Sequence, residues 1–102
     1  MEKTKYTDNR LAEEFDYIVL VNNTHKASGL KSGSLGALIH SYTGRGRPLY
    51  AEFLTDDGQR IEERLKLRDF RVLDENNKRD MFLIAAYLRL KSLSQEKRRK
   101  NA

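Results

Sequence analysis

Arginines placed between tyrosines are the clearest chemistry-bearing pattern in this sequence. Arg45 and Arg47 lie in a glycine-rich segment, with Tyr42 before it and Tyr50 after it. Guanidinium groups bind phosphates, and tyrosine rings stack on unpaired bases. The pattern therefore predicts a nucleic-acid contact, with Tyr42 as the stacking residue and Arg45 and Arg47 on phosphates. A plain solvated turn would explain the same residues equally well.

A second basic cluster lies at the end of the sequence. Residues 78–102 carry eight basic and two acidic side chains, whereas residues 1–77 carry a net charge of −1. The densest part is a run of four cations: Lys97, Arg98, Arg99 and Lys100. Such a run can neutralise nucleic-acid phosphates, which would add it to the same interface. It can equally complement the negative end of a helix dipole.

The patterns that would indicate catalysis or a metal site do not occur in the sequence. His25 and His40 have no nearby cluster of further ligands, although a metal site needs three or four. Glu62 and Glu63 are adjacent in a predicted strand, so they point to opposite faces and cannot act as an acid–base pair. We find no nucleophile elbow and no phosphate-binding P-loop. The sequence predicts a protein that is not an enzyme and needs no cofactor or metal.

Length and composition bound the class of protein. The 102 residues suffice for one domain, and the net charge is +5. There is no cysteine, which excludes disulfides and fits the cytosol. The longest apolar stretch, residues 81–88, is far shorter than the roughly 20 residues that span a bilayer. We therefore expect a cytoplasmic domain that does not bind membranes and has no small-molecule substrate.

Five short runs rich in β-branched and aromatic residues predict strands, separated by turn signals. The predicted strands are residues 15–21, 35–42, 49–54, 60–65 and 71–73. Asp57-Gly58 suits the positive φ of a tight hairpin turn between the third and fourth strands. In the fourth strand Arg60, Glu62 and Arg64 form a wholly charged face, which indicates an antiparallel sheet with one wet side.

The C-terminal part predicts one helix. Asn77 can cap its start, and strong helix formers follow without glycine or proline over residues 78–98. We expect residues 1–14 to be a flexible arm, residues 74–77 a linker and residues 99–102 a disordered tail. Apolar residues cover so much of the helix circumference that one side would remain for a partner after packing on the strands. Tyr87 and Leu90 are the residues that we assign to this protein-interaction surface; simple exposure of the two side chains to solvent would explain the pattern equally well.

The glycine-rich segment Gly29–Ile39 resembles a known family. Its sequence, GLKSGSLGALI, is similar to the GLKxGDxGTVV segment of small bacterial SH3-like proteins and, more weakly, to the glycine-centred KOW motif. The resemblance covers residues 15–73, and Ser34 and Ala37 depart from the usual acidic residue and threonine. It implies a mainly β fold, an SH3-like five-stranded barrel, to which the C-terminal α-helix is appended. Such barrels bind peptides, RNA, DNA and proteins, so the resemblance cannot choose among partners.

Two functions remain open from the sequence. The first is non-catalytic binding of nucleic acid or a nucleoprotein through the Arg45–Arg47 segment and the basic helix end. The alternative is a protein-interaction module that acts as an inhibitor, adaptor or antitoxin-like partner, or that forms a homodimer, through the apolar face of the helix. The sequence narrowly favours the first.

Overall fold

One five-stranded antiparallel sheet and a long C-terminal helix make up a computed structural model of the chain. It describes residues 3–40, 49–55 and 57–100, and for residues 40 and 97–100 it describes the backbone alone. Within these ranges the elements are β1 (Tyr17–Leu20), β2 (Leu35–His40), β3 (Leu49–Leu54), β4 (Arg60–Leu65), β5 (Phe70–Val72) and α1 (Lys78–Lys100). Short 3-10 helices at Asn9–Leu11, Lys26–Ser28 and Leu67–Asp69 lie in the connections.

The strands are ordered β4-β3-β2-β1-β5, and every neighbouring pair is antiparallel. In the described part of the chain β4 and β5 are the two edges and do not pair, so the sheet is not closed. The predicted bounds of β3 and β4 are confirmed. β1 is shorter than predicted because Phe15 has a φ of 71°, which interrupts the extended backbone just before it.

Alternate residues of the strands build a core on one face of the sheet. Ile18, Leu38 and Phe53 are fully buried there. Leu30 folds back from the loop between β1 and β2 and joins the same core. The other face of β4 carries the exposed side chains of the charged stripe, Arg60, Glu62 and Arg64. In β4 the alternation of apolar and charged residues therefore separates the side facing the core from a solvent-exposed side.

The segment before β1, predicted to be a flexible arm, packs against the sheet. The Asn9 side chain donates hydrogen bonds to the carbonyl oxygens of Leu67 (2.7 Å) and Phe70 (2.6 Å). Ala12 is buried in the core. Residues 9–12 are therefore part of the folded domain, which the polar composition of this segment did not indicate.

The start of α1 is fixed to β5 by a buried carboxylate. The Asn77 side chain accepts a hydrogen bond from the Asp80 N–H (3.1 Å), which confirms the predicted cap. The Asp80 carboxylate accepts bonds from both terminal nitrogens of Arg71 (2.9 and 3.0 Å) and from the Asp74 N–H (2.9 Å). This network sets the direction in which α1 leaves the sheet.

Within the described residues, no helix is long and apolar enough to cross a membrane.

Removing this carboxylate should lower stability in a pH-dependent way. Hydrogen bonds from Arg71 lower the pKa of Asp80 below its ordinary value, although burial opposes the shift. A lowered pKa in the folded state stabilises the fold above the unfolded pKa of about 4, and this contribution is lost as pH falls through the folded value. We expect Asp80→Asn to reduce the free energy of unfolding by about 1–3 kcal/mol near neutral pH.

Urea unfolding across a pH series checks this expectation. The difference between wild type and Asp80→Asn should stay constant above about pH 5 and shrink below about pH 4. Glu75→Gln is the control, because Glu75 is an exposed carboxylate beside the same helix start. A difference that did not change with pH would show that the charge of Asp80 is not what holds the helix.

Candidate protein-binding face of the C-terminal helix

The side of α1 that packs on the sheet is defined by three contacts. The ring of Tyr87 lies against the ring of Tyr17 in β1, with centroids 5.8 Å apart. Near the far end, the Ser94 hydroxyl donates a hydrogen bond to the Gly58 carbonyl in the β3–β4 turn (2.9 Å). Together with the Asp80 network at the start, these contacts fix the rotation of the helix about its axis.

Tyr87 is therefore not a partner-binding residue, which corrects the expectation drawn from the sequence. Only 1% of its surface is exposed, and its hydroxyl is buried without a hydrogen-bond partner among the described residues. Burial raises the pKa of Tyr87 to about 12. The physical reason is that the Tyr87 ring covers the Tyr17 ring, so the side of the helix that carries Tyr87 lies against the sheet.

Leu90, the other residue assigned to a partner surface, is half-buried. It lines a cleft of about 610 Å³ together with Leu35, Leu54 and the glycine-rich loop before β2. Its side chain thus closes the gap between α1 and this loop. It is still reachable from the cleft, but it does not belong to the exposed side of the helix.

The exposed side of α1 is apolar where a solvated helix would be charged. Its large side chains are exposed by 56% at Met81, 77% at Phe82, 44% at Leu88 and 49% at Leu93. Ala85 and Ala86 are also exposed and lie between them. We call these six residues the outer face. Contiguous exposed apolar side chains on a helix are typical of protein-binding sites.

Charged residues frame the outer face. Lys78 lies at the start of this side of α1, one turn before Met81. Arg89 lies one turn after Ala85, and Glu96 lies near the C-terminal end of the same side. Neither Lys78 nor Glu96 forms an ion pair with any described side chain. The run Lys97–Lys100 forms the last turn of α1, and only its backbone is described.

A histidine lies between two carboxylates, one from β4 and one from the 3-10 helix before β5. The Nδ1 of His25 is 3.2 Å from a Glu63 oxygen, and its Nε2 is 3.1 Å from an Asp69 oxygen. Asp69 is 1% exposed and also accepts hydrogen bonds from the Lys66 N–H and from Asn22. Burial acts to raise the pKa of Asp69, but these hydrogen bonds outweigh it and the pKa is lowered.

This cluster is structural in its geometry. Both ring nitrogens of His25 are engaged, so neither is open to serve as a base or a metal ligand. No group of three or more histidine, aspartate and glutamate side chains in the described ranges could hold a metal ion. The cluster fastens the β1–β2 loop to β4 and to the 3-10 helix before β5. Sequence reasoning missed it because only the strand order brings these distant residues together.

Arginines line a further cleft, of about 530 Å³, between the N-terminal segment and the 3-10 helix at Leu67–Asp69. Arg10 donates to Asp8 from Nε (3.0 Å) and Nη2 (2.9 Å), and Arg71 is held by Asp80. Arg68 forms no ion pair with a described side chain. Tyr6 is part of the same wall, so a free guanidinium and an aromatic ring share this cleft.

The first set of predicted nucleic-acid contacts, Tyr42, Arg45 and Arg47, lies outside the described residues. Comparison with known proteins adds no relative: no protein family, no curated protein and no solved structure matches this chain. The outer face and the arginine-lined cleft are therefore the two candidate binding surfaces that the geometry of the described residues offers.

Proposed function

We propose that this chain is a non-catalytic binding module that binds another protein through the outer face of α1. The observation that carries the proposal is the exposure of Phe82, Met81, Leu88 and Leu93 on a helix whose other side already holds it to the sheet. The outer face is not needed to complete the domain. Burying a large apolar side chain contributes roughly 1.5–3 kcal/mol, so a partner would gain substantially by covering this face.

The fold that we propose is an SH3-like barrel with α1 appended. Its support is the order of elements: a long loop before β2, a tight turn between β3 and β4, and a 3-10 helix directly before β5. The glycine-rich segment that resembles the SH3-like family begins in that long loop and continues into β2. The sequence lacks cysteine, which is typical of domains in a reducing compartment. We therefore propose that this binding domain is cytoplasmic.

Site-specific photo-crosslinking in the expressing cell tests the proposed face. A photoreactive phenylalanine analogue at Phe82 should give one discrete protein adduct, because this side chain is in the centre of the proposed contact. The same analogue at Phe15 is the matched control, since Phe15 is 72% exposed but lies outside α1. We expect Leu88→Asp to remove the Phe82 adduct. Equal adducts from both positions, or none from Phe82, would contradict the proposed function.

Nucleic-acid binding is the second candidate, favoured by the free Arg68 beside Tyr6 in the arginine-lined cleft. A phosphate in the cleft could pair with Arg68, and an unpaired base could stack on the ring. The basic end of α1 would add phosphate contacts, as the sequence suggests. Against this candidate, Asp8 and Asp80 already neutralise the other two arginines of the cleft.

Titration of single-stranded RNA and DNA between about 50 and about 200 mM salt tests this candidate. We expect Arg68→Ala to weaken binding and to reduce the salt slope by about one, as loss of one phosphate contact should. Arg64→Ala is the control, because Arg64 is an exposed arginine of β4 that does not line the cleft. Absence of binding at the low salt concentration would exclude the candidate.

A further inference from the structure

We propose that the protein bound by the outer face is a second copy of this chain, paired antiparallel through α1. This inference rests on the proposed function and names its partner. The charges at the two ends of the outer face, and their positions along the helix, indicate this partner.

Lys78 and Glu96 share the centre line of the outer face. They are about five helical turns apart, so they project on the same side of α1. Both side chains are exposed, and neither has an ion-pair partner among the described residues. Between them, Met81, Phe82, Leu88 and Leu93 supply the apolar surface. A face with a cation at its start and an anion at its end is complementary to itself at both ends when reversed, and Arg89 is the one further charge between them.

The antiparallel register follows from this pattern. When Lys78 lies opposite the partner's Glu96, Met81 lies opposite the partner's Leu93. The twofold axis repeats both contacts at the other end of the interface, as an isologous pair requires. Ala86 and Leu88 then lie close to the axis on opposite edges of the outer face, while Ala85 lies nearer its centre line. Small alanines at this point allow the two helices to approach closely.

A parallel pairing would have the opposite electrostatics. It would place Lys78 against the partner's Lys78 and Glu96 against the partner's Glu96, which is unfavourable at both ends. It would also bring the two basic C-terminal runs together. Arg89 does not oppose the antiparallel arrangement, because its long stem can cover the partner's Ala85 while the guanidinium stays in water.

Charge reversal with sedimentation velocity tests the pairing on the full-length chain. Samples span micromolar to submillimolar concentration at low salt. Lys78→Glu and Glu96→Lys each turn two attractive contacts of the dimer into repulsive ones, so each should weaken dimerisation roughly tenfold. The double variant should recover the wild-type dissociation constant. An equimolar mixture of the two single variants should also form dimers as well as wild type, since every end contact is again attractive.

Lys91→Glu is the matched control, because Lys91 is an exposed lysine of α1 that lies off the centre line. It should leave dimerisation unchanged. A chain that stays monomeric at every concentration would overturn the second copy as partner, and a Phe82 adduct with a different protein would still support the proposed function. Single variants that dimerise like wild type, or a double variant that does not recover, would overturn the antiparallel register.

Discussion

Replacing Gly36 by alanine should destabilise the domain more than the same change at Gly29 or Gly33. A Cβ at this position in β2 would lie 2.6 Å from the Glu52 carbonyl oxygen and 2.7 Å from Cδ1 of Phe53. The first is backbone of the neighbouring strand, and the second belongs to a fully buried ring. Neither can move without disturbing the β2–β3 pairing or the core. We expect a loss of about 2–4 kcal/mol in the free energy of unfolding.

Gly33→Ala supplies the matched comparison in urea unfolding experiments. Gly33 has a φ of +94°, but no atom lies within 4 Å of the added methyl group. Its substitution should cost only about 1–2 kcal/mol, from the unfavourable left-handed backbone. If Gly36→Ala proved no more costly than Gly33→Ala, the close approach of β2 and β3 would be wrong.

Truncation of Tyr87 should produce the second large effect. Its ring fills the contact between α1 and β1, so Tyr87→Ala would leave a cavity beside Tyr17. Substitutions of this kind cost about 3–5 kcal/mol. Removing the hydroxyl alone should not lower the stability of the fold. Because the buried hydroxyl has no hydrogen-bond partner among the described residues, Tyr87→Phe should be neutral or stabilise the fold by up to about 1 kcal/mol.

The three proteins can be compared by thermal and urea unfolding under the same conditions. The expected order of stability is Tyr87→Phe at or above wild type, followed by Tyr87→Ala far below. A marked loss of stability in Tyr87→Phe would mean that the hydroxyl is hydrogen-bonded. An unchanged Tyr87→Ala would mean that α1 is not held to the sheet by this ring.

The strands were predictable because their side chains alternate. Tyr50 and Glu52 separate the apolar residues of β3, and the charged stripe of β4 has the same period, so both strands were placed at their observed bounds. The backbone conformation of Phe15 was not predictable, since no sequence pattern indicates a positive φ at a phenylalanine. The N-terminal segment was misjudged for a related reason: its main attachments, through Asn9, are to backbone carbonyls.

The outer face shows that hydrophobic periodicity alone does not predict which side of a helix packs on the sheet. The sequence indicated that α1 is apolar around most of its circumference, so one apolar side would remain exposed. It chose the wrong side when it assigned Tyr87 to the exposed surface, because Tyr87 and Leu88 are equally apolar candidates for the core. The Asp80–Arg71 contact and the Ser94–Gly58 hydrogen bond decide the rotation. Both join residues whose partners only the folded sheet brings near.

The most direct test of the account is the mass of the chain in solution as its concentration rises. Leu88→Asp places a charge in the outer face, and Leu11→Asp is the matched control because both leucines are 44% exposed. By sedimentation equilibrium, wild type and Leu11→Asp should approach twice the mass of the chain, while Leu88→Asp stays at the mass of one copy. A wild-type protein that remains a monomer, or a Leu88→Asp variant that associates as wild type does, would contradict pairing of two copies through the outer face.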